Sequence, residues 1–195
     1  NGLSIDSSSG QISGTPTTLS PIQTYTVYAN NSGGSATTTI DITVNDIIPS
    51  SIIYSSSSYV ETRGTAMTTG IPVVSGGPVV TWSIAPALPT GLDIDASTGE
   101  ISGTPTVNSA LTTYTVTATN SGGSTTTTID ITVNDIAPSS ITYTGSPYVE
   151  TKDSAMTTGT PTYNGGTVLT WDISPTLPTG LDIDVSTGEI SGTPT

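Results

Sequence analysis

The residues that could do chemistry are few. Asp93 and Asp95 stand two apart, as do Asp182 and Asp184, and paired carboxylates are the minimum equipment of a glycosidase. On a strand, however, residues i and i+2 share a face, here the solvent face, with no aromatic groove or further motif around them. Ser and Thr together number 70, but no His or nearby Lys is there to activate a hydroxyl. The absence of Cys and His also removes thiol nucleophiles, disulfides, iron–sulfur clusters and the commonest zinc ligands. The chain reads as a non-enzyme that requires no cofactor. Two modification chemistries remain. Asn30-Asn31-Ser32 is a sequon that makes Asn30 an N-glycan acceptor, and the Thr rows and serines 55–58 offer hydroxyls for O-glycans. Self-formed Lys–Asn crosslinks need Lys at a fixed place in each repeat, whereas Arg63 stands where Lys152 recurs.

Charge narrows the partners. Fifteen acidic side chains face two basic ones, Arg63 and Lys152, for a net charge of −13. Such a surface cannot neutralise a phosphate backbone, so nucleic acid is excluded as a partner, and anionic membranes are disfavoured. No apolar run of about 18 residues exists to span a bilayer. The hydrophobic fraction is only 32%. Even so, Thr, Val and Ile dominate and alternate with polar residues, alongside eight Tyr and two Trp. That is a β composition rather than a disordered one.

The elements that position these residues repeat. Gly2-Leu3, Gly91-Leu92 and Gly180-Leu181 are 89 residues apart, and Tyr25/Tyr114, Val44/Val133, Pro49/Pro138 and Trp82/Trp171 keep the same spacing. The register holds without insertion, as expected of an array that extends beyond this chain. Within one period, Tyr114, Val116 and Ala118 alternate with Thr115, Thr117 and Thr119, and Ile129, Ile131 and Val133 alternate with Asp130 and Thr132. Asn120-Ser121-Gly122-Gly123-Ser124 between them reads as a hairpin turn. Ser97-Thr98-Gly99 reads as a second turn, and Gly103-Thr104-Pro105 as a strand exit. About seven short strands in about 90 residues, without helical periodicity, predict a Greek-key sandwich of immunoglobulin type. Its core would centre on Trp82, or Trp171, and the Tyr/Val/Ile rows. Boundaries at Asn45-Asp46-Ile47-Ile48-Pro49 and Asn134-Asp135-Ile136-Ala137-Pro138 divide the chain into 1–47, 48–136 and 137–195. The first is the C-terminal half of a repeat, the second a complete one, and the third an N-terminal half.

The motif Leu88-Pro89-Thr90-Gly91-Leu92-Asp93-Ile94-Asp95, continued by Thr98-Gly99-Glu100-Ile101-Ser102-Gly103-Thr104-Pro105, resembles the signature of a known family. It is similar to the Putative Ig and dystroglycan-type cadherin-like tandem repeats of microbial surface proteins, and the resemblance extends over the whole chain. It implies extracellular β-sandwich modules used as stalks, adhesins or fibre building blocks, with no enzyme chemistry. It also implies calcium as a ligand. Tyr59-Val60-Glu61 resembles the early carboxylate strand of a cadherin repeat, and Asn134-Asp135 a shortened form of its acidic link. Glu61, Asn134 and Asp135 are therefore the candidate calcium ligands, although the Asp-Arg-Glu element and the second Asp of the link are missing.

The leading functional expectation is a structural module of an extracellular filament, stalk or giant surface protein, poor in sites for trypsin-like proteases. The alternative is an adhesin module binding glycan or protein, which gains if Tyr28, Tyr54, Tyr143 and Tyr163 cluster on an exposed face. The expected partners are neighbouring copies of the repeat, head to tail. The two end segments are complementary, and each alone would expose apolar side chains and unpaired strand edges. Separate subunits could exchange halves, or one continuous polypeptide could supply them; continuity is the simpler arrangement.

Overall fold

A computed structural model describes residues 2–195, which form eighteen strands and no helix. Nine strands lie between Pro49 and Asn134: β5 (Pro49–Ile53), β6 (Ser58–Thr62), β7 (Met67–Thr68), β8 (Val73–Gly76), β9 (Thr81–Ala85), β10 (Leu92–Ile94), β11 (Ile101–Gly103), β12 (Ser109–Asn120) and β13 (Gly123–Asn134). To their N-terminal side are β1 (Leu3–Ile5), β2 (Ile12–Gly14), β3 (Ser20–Asn31) and β4 (Gly34–Val44). To their C-terminal side are β14 (Ser139–Thr142), β15 (Met156–Thr157), β16 (Thr162–Asn164), β17 (Leu181–Ile183) and β18 (Ile190–Gly192).

The longest ladder is the hairpin β12–β13, paired from Asn120↔Gly123 down to Thr112↔Ile131 and irregular between Ser109 and Thr112. Alternation decides its two faces. Tyr114, Val116, Ala118, Ile129, Ile131 and Val133 are buried, while Thr113, Thr115 and the other outward Thr positions meet solvent. Each fully buried Val or Ile contributes about 1.5–3 kcal/mol, so this row alone anchors the core. The hairpin sits inside the sheet β6–β13–β12–β9. On one side β9 runs antiparallel to β12, placing Trp82 opposite Ala118. On the other, β6 runs parallel to β13 from Ser58↔Asp130 to Thr62↔Asn134. The β10–β11–β7 sheet and the β5–β8 pair supply the remaining strands, and Ile52, Tyr54, Met67, Leu92 and Ile101 join the same core cluster.

Two expectations need adjusting. The sandwich has nine strands rather than seven, because the Gly- and Pro-rich stretch from 67 to 103 is cut into five short pieces. Conversely, β12 and β13 run to twelve residues each, since Thr alternation continues up to a turn of only Ser121-Gly122.

The flanking segments carry the same residues in a different setting. β3 and β4 pair only with each other, as do β1 and β2. Tyr25 is 47% exposed while Tyr114 is 2%, and Ile12 is 38% exposed while Ile101 is 0%. At the other end β15–β18–β17 and β14–β16 form, yet residues 147–151 and 170–174, which correspond to β6 and β9, do not become strands. Their ladder partners would be the counterparts of β13 and β12, which residues 137–195 do not contain. Here the tertiary partner, not local propensity, makes the strand.

Candidate functional site

No cluster of three or more His, Cys, Asp or Glu suited to a metal ion occurs among the described residues. The features that bear on function are structural: a turn that holds the core tryptophan, a clamp on the link that enters the sandwich, an ion pair at the link that leaves it, and an open sheet face.

The turn after β10 is built by Asp95. Its carboxylate accepts the backbone N–H groups of Ser97 (2.7 Å) and Thr98 (2.9 Å), and these bonds, Ser97 first, hold its pKa below the ordinary carboxylate value. Asp6 and Asp184 cap the equivalent turns in the same way. The Asp93–Asp95 pair is thus a backbone-binding residue beside a solvent-facing one: Asp93 bonds only locally, accepting the Ile94 N–H. Gly99 closes the turn at φ +76, and a Cβ there would lie 2.6–2.8 Å from atoms of the Trp82 ring. Reading Gly99 as turn chemistry captures half its role, since the absent side chain also makes room for the indole. Tyr54 completes the arrangement. Its hydroxyl donates to the Gly99 carbonyl at 2.6 Å, and burial, helped by nearby Tyr59, pushes its pKa up to about 12.

The clamp on the link is Asn120, 7% exposed. Its Nδ2 donates to the carbonyls of Ile47 (2.7 Å) and Pro78 (3.0 Å). Its Oδ1 accepts from the N–H groups of Gly122 and Gly123. Beside it, the Asp46 N–H donates to Ser121 Oγ at 3.0 Å. The turn of the long hairpin therefore grips the segment that enters the sandwich from the preceding repeat. At the next link the Gly166 N–H donates to the Ile136 carbonyl at 2.9 Å. Sequence reasoning saw only a turn former in Asn120; the signal was an amide followed by Ser-Gly-Gly at a domain end.

The candidate calcium ligands lie near one another. Glu61 is on β6 opposite Val133, and Asn134 and Asp135 follow directly. Arg63, however, donates to Asp135 Oδ1 at 2.6 Å. Hydrogen bonds from Asn108 and the Ile136 N–H, with the Arg63 charge, hold the Asp135 carboxyl below its ordinary value. Calcium takes six to eight oxygens and several carboxylates. A guanidinium already sits on the central carboxylate, so calcium binding by these residues would have to displace Arg63.

The tyrosines divide. Tyr54 is buried, and Tyr143 is half-buried with its hydroxyl on the Gly188 carbonyl. Tyr28 is exposed on β3, and Tyr163 packs edge-on against Trp171, ring centroids 5.8 Å apart. Asn30 is exposed on β3, next to its hairpin turn. The inner face of β3–β4 and the β1–β2 hairpin enclose an open groove of about 640 Å³, lined by Leu3, Ile5, Tyr25, Val27, Ile40 and Ile42 among others.

Nine strands around one core, in a chain that repeats every 89 residues, define a tandem Ig-like β-sandwich protein. The sequence profile of the family described as Putative Ig domain matches residues 1–45, 49–134 and 135–195, and the chain belongs to that family. Curated proteins give no match. Among solved structures, the chain is similar to an I-band fragment of titin at 17% identity, covering 89% of this chain and 65% of that one, with a TM-score of 0.48. It is similar to extracellular cadherin domains of protocadherin gamma B7 at 16% identity, covering 91% and 59%, with a TM-score of 0.39. It is also similar to a putative alpha-galactosidase from Bacteroides fragilis NCTC 9343 at 28% identity, with a TM-score of 0.38. That match covers 47% of this chain and only 18% of the galactosidase chain.

Proposed function

We propose that the chain is a load-bearing structural module of an extracellular filament, stalk or surface protein assembled from head-to-tail Ig-like repeats. In this reading residues 48–136 are one complete repeat, and 1–47 and 137–195 are halves of two others. The observation that carries it is the parallel pairing of β6 with β13. Tension enters near the start of the sandwich and leaves through Asn134. It therefore pulls the two strands in opposite directions along their axes, loading all five residue pairs of that ladder together. The Asn120 clamp fixes the entry point, and Thr-covered faces with 15 acidic side chains keep such a module soluble with only one Arg and one Lys. No helix among the described residues is long and apolar enough to cross a membrane. The adhesin reading keeps the exposed Tyr28 and Tyr163 but not Tyr54 and Tyr143, whose hydroxyls bond inside their own segments.

Stretching the chain by its ends in single-molecule force spectroscopy tests the proposal. The complete repeat should rupture in one event that releases about 300 Å of contour, from 89 residues at about 3.3–3.6 Å each. Featureless extension at low force would contradict it.

A further inference from the structure

We propose that consecutive repeats meet in a fixed joint, with no flexible linker between them, and that the single basic residue of the complete repeat, Arg63, locks that joint. The inference rests on the reading of residues 48–136 and 137–195 as belonging to consecutive repeats.

The link that leaves the complete repeat is held from both sides. From the preceding repeat, the Arg63 backbone N–H donates to the Asn134 carbonyl at 2.9 Å, and the guanidinium Nη2 donates to Asp135 Oδ1 at 2.6 Å. Arg63 Nε is enclosed and finds no partner among the described residues, so Asp135 alone fixes the guanidinium. The same Oδ1 accepts the Ile136 N–H at 2.8 Å, which stiffens the link itself. From the following repeat, the Gly166 N–H donates to the Ile136 carbonyl at 2.9 Å. Two adjacent link residues thus bond to different repeats, and no free residue is left between them to act as a swivel.

Glycines show how close the approach is. A Cβ on Gly166 would overlap the Ile136 carbonyl oxygen and lie 2.6 Å from Asp135 Oδ1. The carboxylate that Arg63 holds is therefore in contact with the next repeat as well. Gly77, one period before Gly166, abuts the Ile47 carbonyl in the same way, and Gly122 abuts the Asp46 carbonyl. None of the three has a left-handed backbone that would itself call for glycine, so it is the link that excludes a side chain. The joint in front of the complete repeat adds the rest of the grip: Asn120 on the Ile47 carbonyl and Ser121 on the Asp46 N–H.

Charge singles out the same position. The chain has two basic residues, and Lys152 stands 89 residues after Arg63. A cation is thus kept at the lock position in both repeats, on a surface that is otherwise acidic. Arg brings a planar fork and Lys a point charge, so the residue at this position grades the stiffness of the joint.

Amide exchange on the full chain, followed by NMR, reads the joint from both sides. Arg63 belongs to one repeat and Gly166 to the next. Arg63→Gln should speed exchange at Gly166 about two- to fivefold, as a part-exposed ion pair supports, while Val116 and Ile131 in the core exchange as before. Arg63→Lys should retain part of the protection, and Asp93→Asn, which removes a solvent-facing charge, should leave Gly166 unchanged. In the reverse direction, Gly166→Ala should shift the guanidinium resonance of Arg63, the only arginine in the chain. An unprotected Gly166 amide in the parent chain would overturn the proposal, as would exchange there that ignores Arg63→Gln or a guanidinium signal that ignores Gly166→Ala. Equal losses with Arg63→Lys and Arg63→Gln would overturn charge as the lock. The rupture of the complete repeat under force does not depend on the joint. Its presence alongside a freely exchanging Gly166 overturns the fixed joint alone, and its absence overturns the module.

Discussion

Substituting Gly99 by Ala isolates the contact that centres the core. Two costs add. At φ +76 an L side chain pays about 1–2 kcal/mol for the left-handed backbone. The new methyl also lies 2.6–2.8 Å from Trp82 ring atoms, and overpacking of that kind costs about 1–3 kcal/mol. The total is about 2–5 kcal/mol. At about 4–8 °C per kcal/mol for a domain of this size, the melting temperature should fall by at least about 8 °C. Gly10 is the internal control. It has nearly the same backbone, φ +72, but nothing lies within 4 Å of its added Cβ, and its hairpin stands outside the core. Gly10→Ala should leave the main calorimetric transition in place. Trp82→Leu should recover part of the Gly99→Ala loss, giving a favourable coupling in the double-mutant cycle. Equal, small shifts for Gly99→Ala and Gly10→Ala would refute the reasoning, as would strict additivity with Trp82→Leu.

Asn120→Ala removes a buried amide that joins two backbone carbonyls, Ile47 and Pro78. A loss of about 1–3 kcal/mol is expected in urea unfolding, with faster amide exchange at the 120–123 turn, whereas Asn31→Ala at the exposed β3–β4 turn should change neither. Tyr54 is neutral when buried, and its folded pKa, about 12, is above the usual value near 10. Its contribution is therefore complete below pH about 10 and is lost as pH rises towards 12. Tyr54→Phe should lower the urea midpoint at pH 8 and lose less than the parent chain between pH 8 and 11. Asp95 carries the opposite sign. Its lowered pKa gives a contribution that is present above the ordinary carboxylate value and lost as pH falls below it, so Asp95→Asn should flatten the acid limb of the stability profile. Millimolar calcium against a chelator should leave the melting temperature unchanged, and a rise would assign calcium to Glu61, Asn134 and Asp135 despite the Arg63 pairing.

Period and alternation carry most of the fold because both are local. The rows at Tyr114–Ala118 and Ile129–Val133 face inward as their period-2 pattern dictates, and the long motif around Gly91-Leu92 marks the family. What a partner decides is invisible to such reasoning. Tyr25 and Tyr114 are the same residue in the same pattern, yet one is exposed and the other buried, because only Tyr114 has facing strands, with Ile52, Met67, Leu92 and Ile101, packed over it. Residues 58–62 and 147–151 share their Tyr-Val-Glu-Thr run but only the first becomes a strand. Tyr54 looked less clearly buried because its polar neighbours, Ser55 to Ser58, hid its position over the Gly99 turn. Asp95 looked like half of a carboxylate pair because a turn-capping acid and a catalytic one have the same spelling until the accepted N–H groups are located.

The proposed tension-bearing role depends on the direction in which the β6–β13 ladder is pulled, and cysteine attachment points can choose that direction. Handles at Ser58 and Asn134 pull the parallel strands lengthwise and load all five pairs at once. Handles at Ser58 and Asp130, which face each other in the register, peel the same ladder one pair at a time. Rupture at a clearly higher force through Ser58 and Asn134 than through Ser58 and Asp130 is the predicted result. Equal forces in the two geometries would contradict the assignment of this protein as a module built to carry tension.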